Sequence, residues 1–185
     1  MRMLPLFVGR GHTPCEVSAF VDDEDFARLS AWTWSPMVQG GIVYAIRQEG
    51  TSRPKSHPKG ASRSRIVLMH REVLNAQVGE IVDHANGIGI DNRKENLRFT
   101  DRQGNAANAK KKAGTSRYKG VFWDRARNGW LDPHAGGLWT AQITVGYKRI
   151  LLGRFRDEVE AARAYDAAAR LYFGEFSRTN FGIEE

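Results

Sequence analysis

Apolar and polar positions alternate in short stretches along the first third of the chain, which predicts strands. Residues 17–21 and 42–46 carry the β-branched and aromatic side chains typical of strands. Four acidic residues beginning at Asp22 indicate the start of a short helix that continues to Leu29, because negative charge is favourable at a helix N-terminus. We therefore expect residues 1–65 to form a β-rich lead-in to the rest of the chain.

The middle of the chain shows the order strand, loop, strand, helix. Residues 66–74 predict a strand that leads into a short helix, and two further strands are predicted at 80–84 and 97–99. Thr100 and Gln103 have the spacing of a capping box, in which each side chain satisfies a backbone N–H that a helix leaves free. We expect a helix to begin at Thr100.

The last third predicts a small sheet and one long helix. Three consecutive strands are predicted at 118–123, 139–145 and 148–153. Asp157 lies three residues before a glutamate, a second capping-box pair, and the helix that it begins ends at Gly174. The apolar residues that recur on one face of this helix are Ala161, Tyr165, Ala168 and Tyr172. We expect a three-stranded antiparallel sheet packed on one helix.

The composition is that of a folded protein without a membrane span. Hydrophobic residues make up 41% and charged residues 26% of the 185 residues, which is ordinary for a globular chain. No apolar run approaches the roughly 18 residues that a membrane helix needs. The single cysteine, Cys15, excludes an internal disulfide and a cysteine-based zinc cluster.

The positive charge is concentrated in one stretch. The formal net charge is +7, and residues 102–156 contain 12 basic and 2 acidic residues. A concentrated basic stretch favours a polyanionic partner, because each neutralised phosphate releases counterions. The alternative is a solvated face that only aids solubility.

Four polar residues in the middle segment supply the side-chain types that phosphodiester hydrolysis needs. Asp83 and His84 lie at the end of a predicted strand, and Asn96 and Asn105 follow. A histidine serves as a general base near neutral pH because its pKa is about 6.5, and carboxylate and amide oxygens suit Mg²⁺. On a regular strand Asp83 and His84 would face opposite sides, so they act together only if the strand frays or bulges.

The segment that contains these residues resembles the HNH endonucleases of phages and bacteria, in the branch where the last histidine is replaced by asparagine. The matching residues are Met69-His70-Arg71, Val82-Asp83-His84, Asp91-Asn92-Arg93, Asn96-Leu97-Arg98 and Asn105. The resemblance implies a ββα-metal finger over residues 66–109. It also implies that His84 is the general base, that Asn96 holds its imidazole, and that Asp83 and Asn105 bind one Mg²⁺ or Mn²⁺ ion.

Other polar residues of this segment have simpler interpretations. We interpret His70 as structural, and Asn86 and Asn92 as turn residues, because asparagine before glycine or after aspartate favours turns. An isolated Asp-His pair is usually a surface hydrogen bond, so the hydrolytic interpretation depends on the full set of four residues.

Residues 116–181 resemble the ethylene-response-factor (APETALA-type) DNA-binding domain of plant transcription factors. The resemblance lies in the stretches 118–121, 139–143, 152–155, 160–168 and 174–181. It implies a sheet that enters the major groove of DNA, with Lys119 and Arg149 where the family has contacting arginines. At other contact positions of the family this chain has Phe122, Asp124, Gln142, Thr144 and Leu151, so the target sequence does not carry over. The residues that we predict to contact DNA are Arg98, Arg117, Lys119, Trp123, Arg125, Lys148, Arg149 and Arg154.

These observations together predict an α+β protein with two functional parts. Residues 1–109 would form an HNH endonuclease domain, residues 110–115 a basic linker and residues 116–181 the DNA-binding domain. The expected function is metal-dependent nicking of double-stranded DNA by a monomer or weak dimer, away from membranes, in the cytoplasm of a bacterial or phage-infected cell. The alternative is a non-catalytic, sequence-specific DNA-binding protein such as a transcription regulator.

Overall fold

A computed structural model describes residues 1–9, 12–50, 65–111, 113–125 and 137–182. The chain divides into two compact units, Met1–Thr100 and Asp101–Glu185. The sequence predicts domain limits at residues 109 and 115, and these limits stay a prediction. In the described parts of the chain, no helix is long and apolar enough to cross a membrane.

The first unit consists of short antiparallel strands and two short helices. The elements are β1 (Arg2–Val8), β2 (Thr13–Val21), α1 (Asp23–Ser30), β3 (Ser35–Gln39), β4 (Ile42–Glu49), β5 (Arg65–Leu68), α2 (Met69–Val73), β6 (Ile81–His84) and β7 (Leu97–Thr100). They pair as β1-β2, β3-β4-β5 and β6-β7. The core includes fully buried Leu6, Leu29 and Trp34, and the Trp34 indole N–H donates to the Leu29 carbonyl at 2.8 Å, so the largest buried side chain also satisfies its polar atom.

The second unit is a three-stranded antiparallel sheet covered by a helix. Its elements are α3 (Arg102–Asn108), β8 (Val121–Asp124), β9 (Leu138–Val145), β10 (Lys148–Phe155) and α4 (Glu158–Phe173). The strand order is β10-β9-β8. The buried alanines Ala161 and Ala162 of α4 pack with Ala141 of β9, because small side chains allow a helix to lie close to a sheet.

The two predicted helix starts differ in outcome. The carboxylate of Asp157 accepts from the backbone N–H groups of Val159 and Glu160, so the predicted start of α4 is confirmed. The predicted start at Thr100 is wrong, because Asp101 is the N-cap of α3 and accepts from the Gly104 N–H at 2.7 Å. Aspartate is a stronger N-cap than threonine.

The expected α+β fold class with a ββα-metal finger is wrong. The described residues form mainly β-sheets with few helices. Strands β6 and β7 pair with each other in the first unit, whereas the helix that follows them, α3, belongs to the second unit.

A buried carboxylate fixes the end of the second unit. Asp166 is 1% exposed and accepts from the backbone N–H groups of Asn180 and Phe181 at 2.8 and 2.9 Å. The Asn180 side chain in turn accepts from the Lys119 N–H and donates to the Lys119 carbonyl. Asp166 therefore links α4 to the segment that enters β8.

We predict that Asp166→Ala lowers the free energy of unfolding by about 3 kcal/mol, because two buried N–H donors lose a charged acceptor. Asp166→Asn keeps one acceptor oxygen, so its free energy of unfolding should fall by a smaller amount. Glu160→Ala, at an exposed position on the same helix, should cost about 0.5 kcal/mol through the helix dipole alone. Urea unfolding followed by circular dichroism measures all three, and equal losses in the alanine variants would contradict the role of Asp166.

Two buried histidines face each other in the first unit. The rings of His70 and His84 lie 4.9 Å apart edge to face, and the Tyr44 ring lies 5.8 and 5.9 Å from them. Burial, together with the positive charges of His84 and Arg71, lowers the pKa of His70 to about 3. Burial also lowers the pKa of His84, against the opposing effect of Asn92 and nearby carboxylates.

We predict that stability falls as the pH drops from 6.5 to 5. The unfolded chain binds protons at its histidines below about pH 6.5, whereas the folded chain keeps His70 neutral, so each step down in pH favours the unfolded state. The loss from His70 alone is about 2 kcal/mol at pH 5, and the contribution of His70 should be nearly constant above pH 7. Urea unfolding at pH 5, 6, 7 and 8 measures this change in the free energy of unfolding.

The matched variants for this prediction are His70→Asn and His12→Gln. The first removes one of the two buried histidines and should reduce the pH dependence of stability, with His84 contributing the remainder, and the second changes an exposed residue and should leave the pH dependence as it is. A His70→Asn protein with the slope of the natural chain would show that other groups cause the effect.

Candidate nucleic-acid interface

The carboxylate of Asp83 is engaged by an arginine on the neighbouring strand. Asp83 in β6 lies opposite Arg98 in β7. Its Oδ2 accepts from Arg98 Nε at 3.1 Å and from Nη2 at 2.9 Å. The predicted metal ligand Asp83 and the predicted DNA contact Arg98 therefore form an ion pair in this structure.

The polar residues around His84 form a buried network with the loop between β6 and β7. His84 Nε2 lies 3.4 Å from the side-chain oxygen of Asn92, which is 1% exposed. The Asn96 amide donates to the Asp91 carbonyl at 2.8 Å, and its oxygen accepts from the Asn86 N–H at 3.0 Å. Asn92, which the sequence suggests only as a turn residue, is therefore the asparagine beside His84, and Asn96 organises the loop.

The carboxylate that the sequence predicts as a Mg²⁺ ligand has a cationic side chain as its partner in this structure. The charge of Asp83 is compensated by Arg98, and no group of three or more His, Cys, Asp or Glu side chains among the described residues could hold a metal ion. The second predicted ligand, Asn105, lies exposed on α3 in the second unit. The expectation of Mg²⁺ or Mn²⁺ stays a prediction.

The sheet of the second unit has one face turned away from α4. Successive strand residues point to opposite faces, and Trp139, Ala141 and Ile143 of β9 pack with residues of α4. The residues between them and their cross-strand partners therefore lie on the other face, which we name the outer face. Its members include Phe122, Asp124, Gln142, Thr144, Arg149, Leu151 and Arg154.

Several of the predicted DNA contacts are exposed cations on or beside the outer face. Arg149 is exposed and lies opposite Thr144. Arg154 is 47% exposed, with Nη2 3.8 Å from the Asp124 carboxylate. Lys148 and Arg125 are exposed at the ends of β10 and β8. Long cationic side chains at such positions reach phosphates without loss of the core packing.

Three other predicted contacts have partners inside the unit. The Lys119 ammonium donates to the Ala107 carbonyl, and burial lowers the pKa of Lys119 to about 8. The Trp123 ring packs edge to face on Trp139 at 4.9 Å, on the side that α4 covers. Arg117 is 72% exposed and lies 3.5 Å from Glu158. The DNA contacts predicted for these residues stay predictions.

The tip of the hairpin between β9 and β10 presents an aromatic side chain that the sequence analysis missed. Gly146 and Tyr147 form a two-residue turn with φ of +54° and +66°, as tight antiparallel hairpins require. Tyr147 is 89% exposed and directly precedes Lys148. An aromatic residue between two predicted strands, followed by two consecutive cations, is the sequence pattern that marks this position.

Part of the chain is similar to known plant proteins, although no family model matches it. It is 46% identical over 67 residues to an AP2/ERF and B3 domain-containing protein of Oryza sativa subsp. japonica, covering 36% of this chain and 16% of the relative. It is 39% identical over 71 residues to the AP2/ERF and B3 domain-containing transcription repressor TEM1 of Arabidopsis thaliana, covering 38% and 17%. It is 44% identical over 78 residues to the ethylene-responsive transcription factor ERN1 of Lotus japonicus, covering 38% and 28%.

These matches correct the enzymatic expectation. The chain spans between 16% and 28% of the length of these relatives, and the relatives are named as AP2/ERF proteins, a transcription repressor and a transcription factor. The expectation of an HNH endonuclease is wrong, because the related proteins are not nucleases, and a phage or bacterial setting has no support from plant relatives. Between 36% and 38% of this chain is thus similar to proteins named for AP2/ERF domains or for an ethylene response.

Proposed function

We propose that this chain is a non-catalytic protein that binds double-stranded DNA through the outer face of the sheet in its second unit. The observation that supports this proposal most directly is the pair of exposed cations Arg149 and Arg154 on that face, with exposed Lys148 at the beginning of the same strand. The B-DNA major groove is about 12 Å wide and admits strands of a sheet. In this arrangement, cations at the edge of the sheet contact phosphates, and side chains of the outer face contact the edges of bases.

The outer face carries side chains suited to base edges. Arg149 donates in pairs to guanine, Gln142 both donates and accepts and therefore suits adenine, and Leu151 suits the methyl group of thymine. Leu151 is 57% exposed, which is costly for an apolar residue unless a partner covers it. The face differs from the family's contact pattern at several positions, so the chain selects its own target sequence.

The names of the relatives favour a regulator of transcription. One is a repressor and another a transcription factor, and regulation needs binding without strand cleavage. The second unit has one outer face, so one chain suffices for one binding event. We propose binding as a monomer or weak dimer.

We predict that Arg149→Gln weakens binding to a selected target by about 10- to 100-fold, because a bidentate contact to guanine contributes about 1–3 kcal/mol of discrimination. The target is first selected from a random duplex library with the natural chain, and affinity is measured by fluorescence anisotropy at one fixed salt concentration. The variant should also lose its preference at one base position.

The matched control is Arg170→Gln. Arg170 is exposed on α4, on the opposite side of the sheet, so the variant removes the same charge without touching the outer face. Binding by the natural chain should be unchanged by a metal chelator. Failure to enrich any sequence, or metal-dependent strand cleavage, would contradict the proposal.

A further inference from the structure

Helix α3 is attached at both of its ends to other parts of the second unit. At its start, the side-chain oxygen of Gln103 accepts from the Gly146 N–H at 2.9 Å. At its end, the Ala107 carbonyl accepts from the Lys119 ammonium and from the Arg178 N–H. The last carbonyls of a helix need partners, and a cation there is favoured by the helix dipole. The helix is therefore held in a defined place on this unit.

The basic residues that follow α3 lie beside the outer face. A groove of about 400 Å³ is lined by Lys110 and Lys111 together with Phe122 and Gln142 of the outer face. Lys110 is exposed and Lys111 is half-buried. The segment after α3 thus borders the part of the sheet that we propose to enter the DNA groove.

Within its three strands the sheet has its cations on one edge, and at the other edge Arg125 follows the end of β8. Strands β8 and β9 contain no lysine or arginine, and all the basic residues of the three strands lie in β10. The order β10-β9-β8 places β10 about 10 Å from β8, since neighbouring strands are about 4.8 Å apart. A major groove is bordered by two phosphate backbones, and β10 supplies cations for only one of them.

We propose that Lys110 and Lys111, held beside β8 by the attachment of α3, bind phosphates of the DNA strand opposite to the one contacted by β10. This inference rests on the function proposed above. The contacts are to the backbone, so they add affinity on every duplex and fix how the sheet lies in the groove without reading bases. The stretch before the sheet is then part of the binding surface.

The test is the salt dependence of DNA binding by the full chain with both lysines changed to glutamine. Each lost phosphate contact lowers the slope of log affinity against log salt concentration by about 0.9, so Lys110→Gln with Lys111→Gln should lower it by about 2. Anisotropy between 50 and 200 mM KCl is measured on the selected target and on an unrelated duplex. Affinity should fall by the same factor on both.

The control has the same change of charge on the other side of the sheet. Arg163→Gln with Arg170→Gln changes two exposed residues of α4, and the slope should stay that of the natural chain. If the lysine variant has the natural slope, or if both double variants lose the same amount, the inference fails and only net charge matters. If the natural chain binds no duplex, the proposed function fails instead.

A third variant tests the role of the attachment. Gln103→Ala removes the acceptor of the Gly146 N–H but keeps both lysines and the Asp101 cap of α3. We expect a slope between those of the natural chain and the lysine variant, with an unchanged melting curve of the folded protein. A natural slope in this variant would overturn the claim that α3 positions the lysines.

Discussion

The packing of β9 against α4 is the constraint on which the second unit depends. Ala141 and Ile143 face α4, and the ring of Tyr165 closes over Gly120 so tightly that an added Cβ there would lie 1.9 Å from it. Gly120 also has φ of +76°, so only glycine fits on both grounds. One face of the sheet thereby packs on the helix, and exposed residues of opposite parity such as Arg149 and Leu151 remain accessible to a partner.

Local signals in the sequence predicted local structure well. Asp157 caps α4, as its spacing indicated, because capping involves only neighbouring residues. Gln103 had an equally good local signal and was assigned wrongly, since its side chain accepts from Gly146, 43 residues away. Lys119 donates to a carbonyl at the end of α3, a contact that no pattern in a single sequence reveals, and its predicted DNA contact stays a prediction.

The polar residues around Asp83 and His84 show more clearly how little a single sequence reveals about distant partners. Asp83, His84 and Asn96 have the residue types of a hydrolytic centre, and the sequence places them at strand ends. The same types also suit a buried structural network, and the Asp83–Arg98 pair with the His84–Asn92 contact is one. Composition and spacing do not distinguish these outcomes, because the difference lies in which partner each polar atom meets. The long match to a DNA-binding domain carried more information than the short motif did.

The hydrogen bond between Lys119 and the end of α3 tolerates a change in the charge of its donor. With its pKa lowered to about 8 by burial, this side chain loses its proton in mildly alkaline solution. An uncharged amine still has hydrogens to donate, so the Ala107 carbonyl keeps its partner after deprotonation. Deprotonation removes the electrostatic attraction between the ammonium group and the carbonyl but leaves the hydrogen bond. The position of the end of α3 therefore does not depend on the charge of Lys119.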